Sequence, residues 1–363
     1  MSDERSWRDI DWTLLGTAFL IATLGVLEIY SATRSTPWDN AHIRQILWIT
    51  IGVGLLWICS KIDYHWLVEQ SPVFYSISVG ALFVVFLFGT TVNGAKRWLD
   101  VPIVPNLQVS EFVKVVIVLL VARYFAGMSR ERATIGAIAK ISATVGIAVV
   151  LVKMQPDLST SLSYVAILGM GVFLAGLRWK WVAVALGIVL LTAPLAWRSM
   201  KPYQKDRVTA FLDPEKDPRG KGYQSLQSKI AVGAGGVWGK GFERGTQTQL
   251  RFLPEAHTDF IFASYAEETG FMGVVFALIL YFILLMKIVN NAQTAPDAAG
   301  MHVCMGVAAL LFFHVFVNIG MVVNKMPVTG IPLPLMSYGG SNLLSTAMLL
   351  GLVNNVRLRR FTN

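Results

Sequence analysis

Charge is scarce in this chain. Only 15% of its 363 residues are Asp, Glu, Lys or Arg, against 54% hydrophobic, and the mean hydropathy is +0.56. Such a composition excludes an ordinary soluble domain and places the chain among polytopic membrane proteins. Cysteine is nearly absent. Cys59 and Cys304 each fall in or at the edge of an apolar stretch, with no CxxC and no Cys/His ligand spacing. They read as small core residues, so neither a disulfide framework nor a zinc site is implied. No HExxH, GxSxG or His-rich motif occurs, which leaves metalloprotease and serine-hydrolase chemistry unsupported. No long Ser/Gly/Pro linker, low-complexity tract or clear internal repeat divides the chain, so a single membrane domain over residues 1–363 is expected. Nothing after the short charged stretch Met1–Ile10 resembles a cleavage site, and the first apolar block is expected to stay as a helix. The net charge of +9 suits anionic headgroups or a phosphate-bearing substrate, and is too diffuse to argue for nucleic acid.

What is present is a succession of apolar blocks, most about 20 residues long, the length that crosses a hydrocarbon core of roughly 30 Å. About ten can be drawn, at 12–31, 44–59, 72–92, 107–126, 134–152, 158–177, 180–197, 260–287, 301–323 and 340–356. The expected fold is therefore an all-α polytopic membrane protein with about ten transmembrane helices. An even number puts both termini on one side. Arg123, Arg130, Arg132, Arg178, Lys180, Arg357, Arg359 and Arg360 lie in one set of connections, and the alternate short loops hold fewer cations. The positive-inside rule then puts both termini in the cytoplasm.

Between the seventh and eighth blocks lies a long polar stretch, residues 198–259, which carries eleven Lys and Arg. On the same rule it is a large extracytoplasmic loop, and long loops are exempt from the charge bias. A membrane protein that gathers polar residues in one loop is expected to do its chemistry there, at the membrane surface.

Ionisable residues at bilayer depth each cost a few kcal/mol or more unless paired or solvated, which makes them candidates. Glu111 and Lys114 share a helix face at i,i+3. They are either a helix-end ion pair with Lys114 reaching outward or a charged surface lining a polar cavity. Asp157, after Gln155-Pro156, is placed equally well for an N-cap or for a catalytic role. Asp259 is the strongest single candidate. It stands where the polar stretch re-enters the membrane, and a partly desolvated carboxylate there makes a better general base than a free one. The competing account is that it caps the eighth helix. Arg251, Glu255, His257 and the pair Glu267-Glu268 surround it in sequence. The run Gly233–Lys240 fails the Walker A pattern and reads as a surface turn or as backbone able to approach a phosphate. Pro332–Ser341 breaks the start of the tenth helix, either as a tight turn or as the wall of a cavity whose helix N-terminus favours an anion.

These residues resemble a known family. Asn93-Gly-Ala-Lys-Arg-Trp98, Gln108-Val-Ser-Glu-Phe-Val-Lys114, Gln155-Pro-Asp157, Asp206–Pro214, Gly222–Ile230, Pro254–Phe262 and Pro332–Ser341 are similar to motifs of the SEDS family (shape, elongation, division and sporulation), in family order across nearly the whole chain. The short tails and Met326–Pro334 look more like the RodA-type branch, which serves elongation, than the FtsW-type branch, which serves division. Val109 departs from the family, which usually has Pro there, and is expected to alter only local helix geometry.

The resemblance implies a ten-helix fold and peptidoglycan glycosyltransferase activity at the outer face of the cytoplasmic (inner) membrane. The substrate would be lipid II, the undecaprenyl-pyrophosphate-linked disaccharide peptide. The partners would be a class B penicillin-binding protein and other elongation-complex membrane proteins. Asp259 matches the family's essential Asp, and is expected to take the proton of the acceptor hydroxyl. Lys114, Arg97 and Arg207 would counter charge on the leaving pyrophosphate, and Glu111, Asp157 and Ser337 complete the expected substrate contacts. No organic cofactor is expected. A divalent cation, Mg or Mn, held by carboxylates such as Glu111 or Asp157, is the remaining expectation, with its ligands unknown. The readings set against this are a flippase for lipid-linked precursors, favoured by intramembrane charges and broken helices, and a non-catalytic scaffold for the crosslinking enzyme.

Overall fold

A computed structural model describes residues 10–34, 36–92, 95–101, 104–128, 134–176, 209–213 and 220–360, with isolated positions 180, 187, 191, 198 and 205. The first helix, α1 (Trp12–Thr33), starts on Asp11, whose Oδ1 accepts from the Leu14 amide at 3.1 Å. The other Asp11 oxygen receives Asn291 Nδ2 at 3.0 Å and Arg357 at 2.8 Å, so one capping carboxylate ties three helices together. Then follow α2 (Ala41–Lys61), the short α3 (Tyr64–Glu69) and α4 (Ser71–Phe88), which opens on Pro72. Three strands come next, β1 (Thr90–Val92), β2 (Ala95–Val101) and β3 (Val104–Leu107). The described part of the chain continues with α5 (Val109–Ala126), α6 (Ile135–Met154), α7 (Leu158–Leu174), α8 (Lys221–Ala234), α9 (Thr246–Gln249), α10 (Ile261–Gln293), α11 (Ala298–Val322) and α12 (Gly340–Leu358).

The protein is mostly helical and multi-pass. Nine of the ten expected apolar blocks coincide with helices, and the block at 180–197 lies almost wholly outside the described residues. By length and composition, six described helices are apolar and long enough to cross a membrane: α1, α2, α4, α6, α10 and α11. Burial sorts them. The most apolar stretch of α11 is 67% buried within the protein, against 17% for α2 and 22% for α4 and α6. So α11 is the central post, packed against α5, α7 and α10, while α2, α4 and α6 form the lipid-facing wall. α12 lies along α2, and α1 lies along α10. Trp57 and Phe83 stand exposed on this wall, as do Phe19 of α1 and Phe282 of α10 beside it, where lipid tails replace water as solvent.

One feature corrects the expected architecture. Residues expected as the end of one span and a short loop form an antiparallel sheet in the order β1-β2-β3, with Thr91 paired to Lys96 and Leu99 to Leu107. The 198–259 stretch contains helices α8 and α9. The glycine run at the end of α8 has a structural partner. α10 is broken at Gly270 (φ 68°, ψ −166°), and the backbone freed by the break pairs with this run. Phe271 and Met272 amides donate to the Gly236 and Val237 carbonyls, and the Lys240 and Gly241 amides donate to Glu267 and Glu268. Polar backbone that would be orphaned at a helix break is thus satisfied from a neighbouring turn.

Candidate functional site

The polar residues of the interior form a connected seam. On α5, Lys114 Nζ donates to both Glu111 oxygens at 2.8 Å. Asn342 Nδ2 of α12 donates to the same carboxylate at 3.0 Å. His314 Nε2 of α11 lies 3.4 Å from Lys114 Nζ and 3.0 Å from Ser163 Oγ of α7. Four helices therefore meet on one buried ion pair, which the i,i+3 spacing makes possible. Lys114 does not reach outward. Its head stays inside, paired with Glu111.

One turn earlier, the start of α5 meets Asp157. That carboxylate caps α7, accepting from the Thr160 amide at 3.1 Å and the Thr160 hydroxyl at 2.9 Å. Gln108 Nε2 donates to it at 2.7 Å, and Arg97 NH1 of β2 lies 3.8 Å away. The sheet thus delivers Arg97 to the top of α5 and α7, with its side chain 31% exposed beside Trp98. The Gln108 amide donates to Ser341 Oγ at 3.1 Å, linking this cluster to the start of α12.

Asp259 closes the third part. The N-cap of α10 is Phe260, with no side-chain capping bond, so the Asp259 carboxylate does not cap the helix. Asn318 Nδ2 of α11 donates at 2.9 Å to the Asp259 carbonyl and at 2.8 Å to that of Ile331. Ser337 Oγ donates to the Thr258 carbonyl at 2.7 Å and accepts from the Leu333 amide at 2.8 Å. The Tyr338 amide donates to the His257 carbonyl at 3.0 Å. Residues 328–339, buried from Leu333 to Ser337, therefore form a cradle of irregular backbone that holds the 257–259 turn. Gly330 (φ +74°) faces the carboxylate closely enough that an added Cβ would lie 3.3 Å from Oδ2. Ser159 donates to the Thr329 carbonyl and joins this cradle to α7.

The expected residues fall as follows. The structure brings Arg97, Gln108 and Asp157 together, and Glu111 with Lys114. Ser337 belongs to the Asp259 turn, where its hydroxyl is engaged by backbone on both sides. Arg207 lies outside the described residues. Glu267 and Glu268 are both structural: Glu267 is held by Lys240 at 2.7 Å and by the amides of Gln247 and Thr248, and Glu268 accepts from Ser31 of α1. Sequence reasoning missed His314, Asn318 and Asn342, because single polar residues in apolar spans carry no spacing signal.

No group of three or more His, Cys, Asp or Glu that could hold a metal occurs among the described residues. The Glu111 and Asp157 carboxylates are engaged by Lys114, Asn342, Gln108 and Thr160, which does not suit a dedicated cation site with several open oxygens. His257, outside the spans, is held below its ordinary value of 6.5 by burial, which outweighs the opposite pull of Glu255.

A family profile described as Cell cycle protein, FTSW_RODA_SPOVE, matches residues 11–361. Peptidoglycan glycosyltransferase MrdB of Escherichia coli K12 is 42% identical over 360 residues, covering 97% of this chain and 94% of its own. Peptidoglycan glycosyltransferase RodA of Treponema pallidum is 31% identical over 431 residues, covering 98% and 99%. Among solved structures, a chain of a peptidoglycan synthase complex that coordinates polymerization and crosslinking is similar with a TM-score of 0.85 at 31% identity, covering 98% of this chain and all (100%) of its own. Rod shape determining protein RodA of Thermus thermophilus follows with a TM-score of 0.74 at 28% identity, covering 98% and 99%.

Proposed function

The chain belongs to the FtsW/RodA/SpoVE family of cell cycle proteins, and from that premise we propose that it is a peptidoglycan glycosyltransferase polymerising lipid II. The acceptor sugar's 4-hydroxyl attacks C1 of the donor sugar, the C1–O bond to undecaprenyl pyrophosphate breaks, and the anomeric centre inverts. An alcohol is a weak nucleophile at neutral pH, so its proton must leave as the new bond forms. Asp259 takes that proton. The observation that carries this reading is the setting of Asp259: its backbone is clamped by Asn318 while its carboxylate turns to Gly330 instead of capping α10. A base fixed by its backbone loses little orientational freedom on the way to the transition state.

The departing pyrophosphate gathers negative charge. Arg97, partly exposed above Asp157, supplies the described cation there, and Lys114 sets the positive end of the seam below. No step is routed through a metal ion. Ten spans, with 198–259 as a large extracytoplasmic loop, both termini cytoplasmic and a class B penicillin-binding protein as partner, complete the proposal. The resemblance of sequence and the cation bias of the short loops support it.

Purified protein given lipid II should yield a ladder of glycan strands. Movement of labelled lipid II across a vesicle without strands would make the protein a flippase, and neither outcome would leave a scaffold. Sidedness is read from a single cysteine replacing Trp238, which is 79% exposed, in a background lacking Cys59 and Cys304. It should react with an impermeant thiol reagent in intact cells.

A further inference from the structure

Beside the Asp259 turn, the end of α1 and the loop after it face residues 248–257 across a cavity of about 230 Å³. Trp38, Arg251, Glu255 and His257 line it, with Ala32 at its α1 side. Two rings gather around His257. Its centroid lies 5.7 Å from Trp38 and 5.7 Å from Tyr338, and Trp38 and Tyr338 are 6.2 Å apart. Trp38 is 48% exposed, so much of the indole is open to a ligand.

The wall is preformed. The Phe252 and Leu253 amides donate to the Gln247 carbonyl at 3.0 and 3.1 Å, and the Thr258 and Phe260 amides donate to that of Glu255 at 3.2 Å. Arg251 and Glu255 hold φ of 61° and 51°, a backbone region that side chains rarely adopt and that clusters at ligand sites. Neither residue is Asn or Gly, so the local sequence does not favour these angles. The surrounding structure imposes them.

We propose that this cavity is a saccharide subsite, in which Trp38 stacks on the face of one pyranose ring of the substrate while Arg251 and Glu255 engage its hydroxyl and acetamido groups. The inference rests on the glycosyltransferase reading above. Three observations define the ligand. Its volume is below the roughly 300–1,000 Å³ of pockets that take drug-sized ligands, so it seats about one sugar unit, and its open side lets the rest of the substrate extend past it. Its charged lining pairs one cation with one anion, which suits an uncharged ring and not a pyrophosphate, whose sites are built from cations and amide donors. Its aromatic side offers a flat apolar face, which the C–H face of a pyranose matches and a hydrated ion does not. His257 is two residues from Asp259, at most about 7 Å along extended chain, so the cavity adjoins the turn that carries the base.

The test is the kinetics of lipid II polymerisation by the full chain, purified alone and with its transpeptidase partner. Trp38→Ala should raise KM about tenfold, the upper end of what one aromatic contact contributes, with kcat within about twofold. Trp38→Phe, which keeps a ring, should recover most of the loss. Ala32→Met, which fills the cavity from α1 without altering the rings, should raise KM as well. A parallel arm measures lipid II retention by Asp259→Asn, which binds without turning over, with and without Trp38→Ala. If the parent polymerises lipid II while Trp38→Ala and Ala32→Met leave KM and retention unchanged, the subsite is overturned and the glycosyltransferase reading stands. A fall in kcat alone also overturns it. If the parent neither polymerises nor retains lipid II, the functional reading fails and the subsite fails with it.

Discussion

Lys114 Nζ sits 2.8 Å from both carboxylate oxygens of Glu111, and the two side chains are only 2% and 4% exposed. Asn342 completes the acceptor side and His314 flanks the ammonium, so the pair is hydrogen-bonded as well as charge-balanced. Desolvating two ions costs several kcal/mol each, and the pair offsets that only while both partners are present.

From this comes the first prediction. Lys114→Met leaves a carboxylate buried without its cation and should destabilise the protein by roughly 3–5 kcal/mol, read as a lower thermal midpoint and membrane level. Glu111→Gln combined with Lys114→Met removes both charges and should restore stability. Polymerisation should stay low in the double variant, because the seam has lost its positive end. Full recovery of activity would reduce the pair to architecture.

The helix break supplies the second. A Cβ at Gly270 would lie 2.2 Å from the Gly239 nitrogen and 2.7 Å from the Trp238 carbonyl carbon, on backbone (φ 68°, ψ −166°) that only glycine adopts readily. Gly270→Ala should cost at least about 1–3 kcal/mol from the dihedral alone. Gly233, in α8 with nothing within 4 Å of an added Cβ, is the control. Gly233→Ala should be neutral or should stabilise by about 0.5–1 kcal/mol. Equal effects at the two positions would mean the break is not held by the glycine run.

Much of this was legible in the sequence. Apolar length placed nine helices, and Asp157 was readable as a cap because Asp-Leu-Ser-Thr160 is a helix start. Asp259 was readable because it marks a polar-to-apolar boundary. The sheet was not, although Asn93-Gly94 between β1 and β2 is the dipeptide most associated with tight hairpins. Its strands alternate weakly and sit between two long spans whose hydropathy dominates any window. Whether Asp259 capped α10 could not be decided from pattern either, since a cap and a boundary base look alike until the first turn is seen. The role of Gly233–Lys240 depended on a break thirty-odd residues later, at Gly270, which no local signal announces.

A third prediction concerns pH. Burial holds the His257 imidazole below 6.5, so between its folded value and 6.5 the unfolded chain binds more protons than the folded one. The stability this contributes is present above about pH 6.5 and is lost as pH falls through the folded value. Thermal midpoints of the parent should therefore drop on acidification through this window. His257→Gln should show a shallower drop, the difference between the two curves isolating this group. Parallel curves would mean that His257 is not the titrating residue.

The last prediction tests the base itself. Asp259→Asn is nearly isosteric, and the bond from Asn318 Nδ2 to its backbone carbonyl is left in place by the substitution. Phe260, not Asp259, is the N-cap of α10, so no helix cap is lost either. The fold and the thermal midpoint should stay close to those of the parent. Asn cannot accept a proton at neutral pH, and loss of a general base typically costs on the order of 10²–10⁴ in rate. Lipid II polymerisation should fall by that factor in kcat while lipid II is still retained. Asn318→Ala should behave differently: it releases the Asp259 and Ile331 carbonyls together, so it should lower stability and activity in step. A stable, lipid II-retaining Asp259→Asn protein that polymerises at the parental rate would remove Asp259 from the chemistry and return the search for the base to the seam around Asp157 and Glu111.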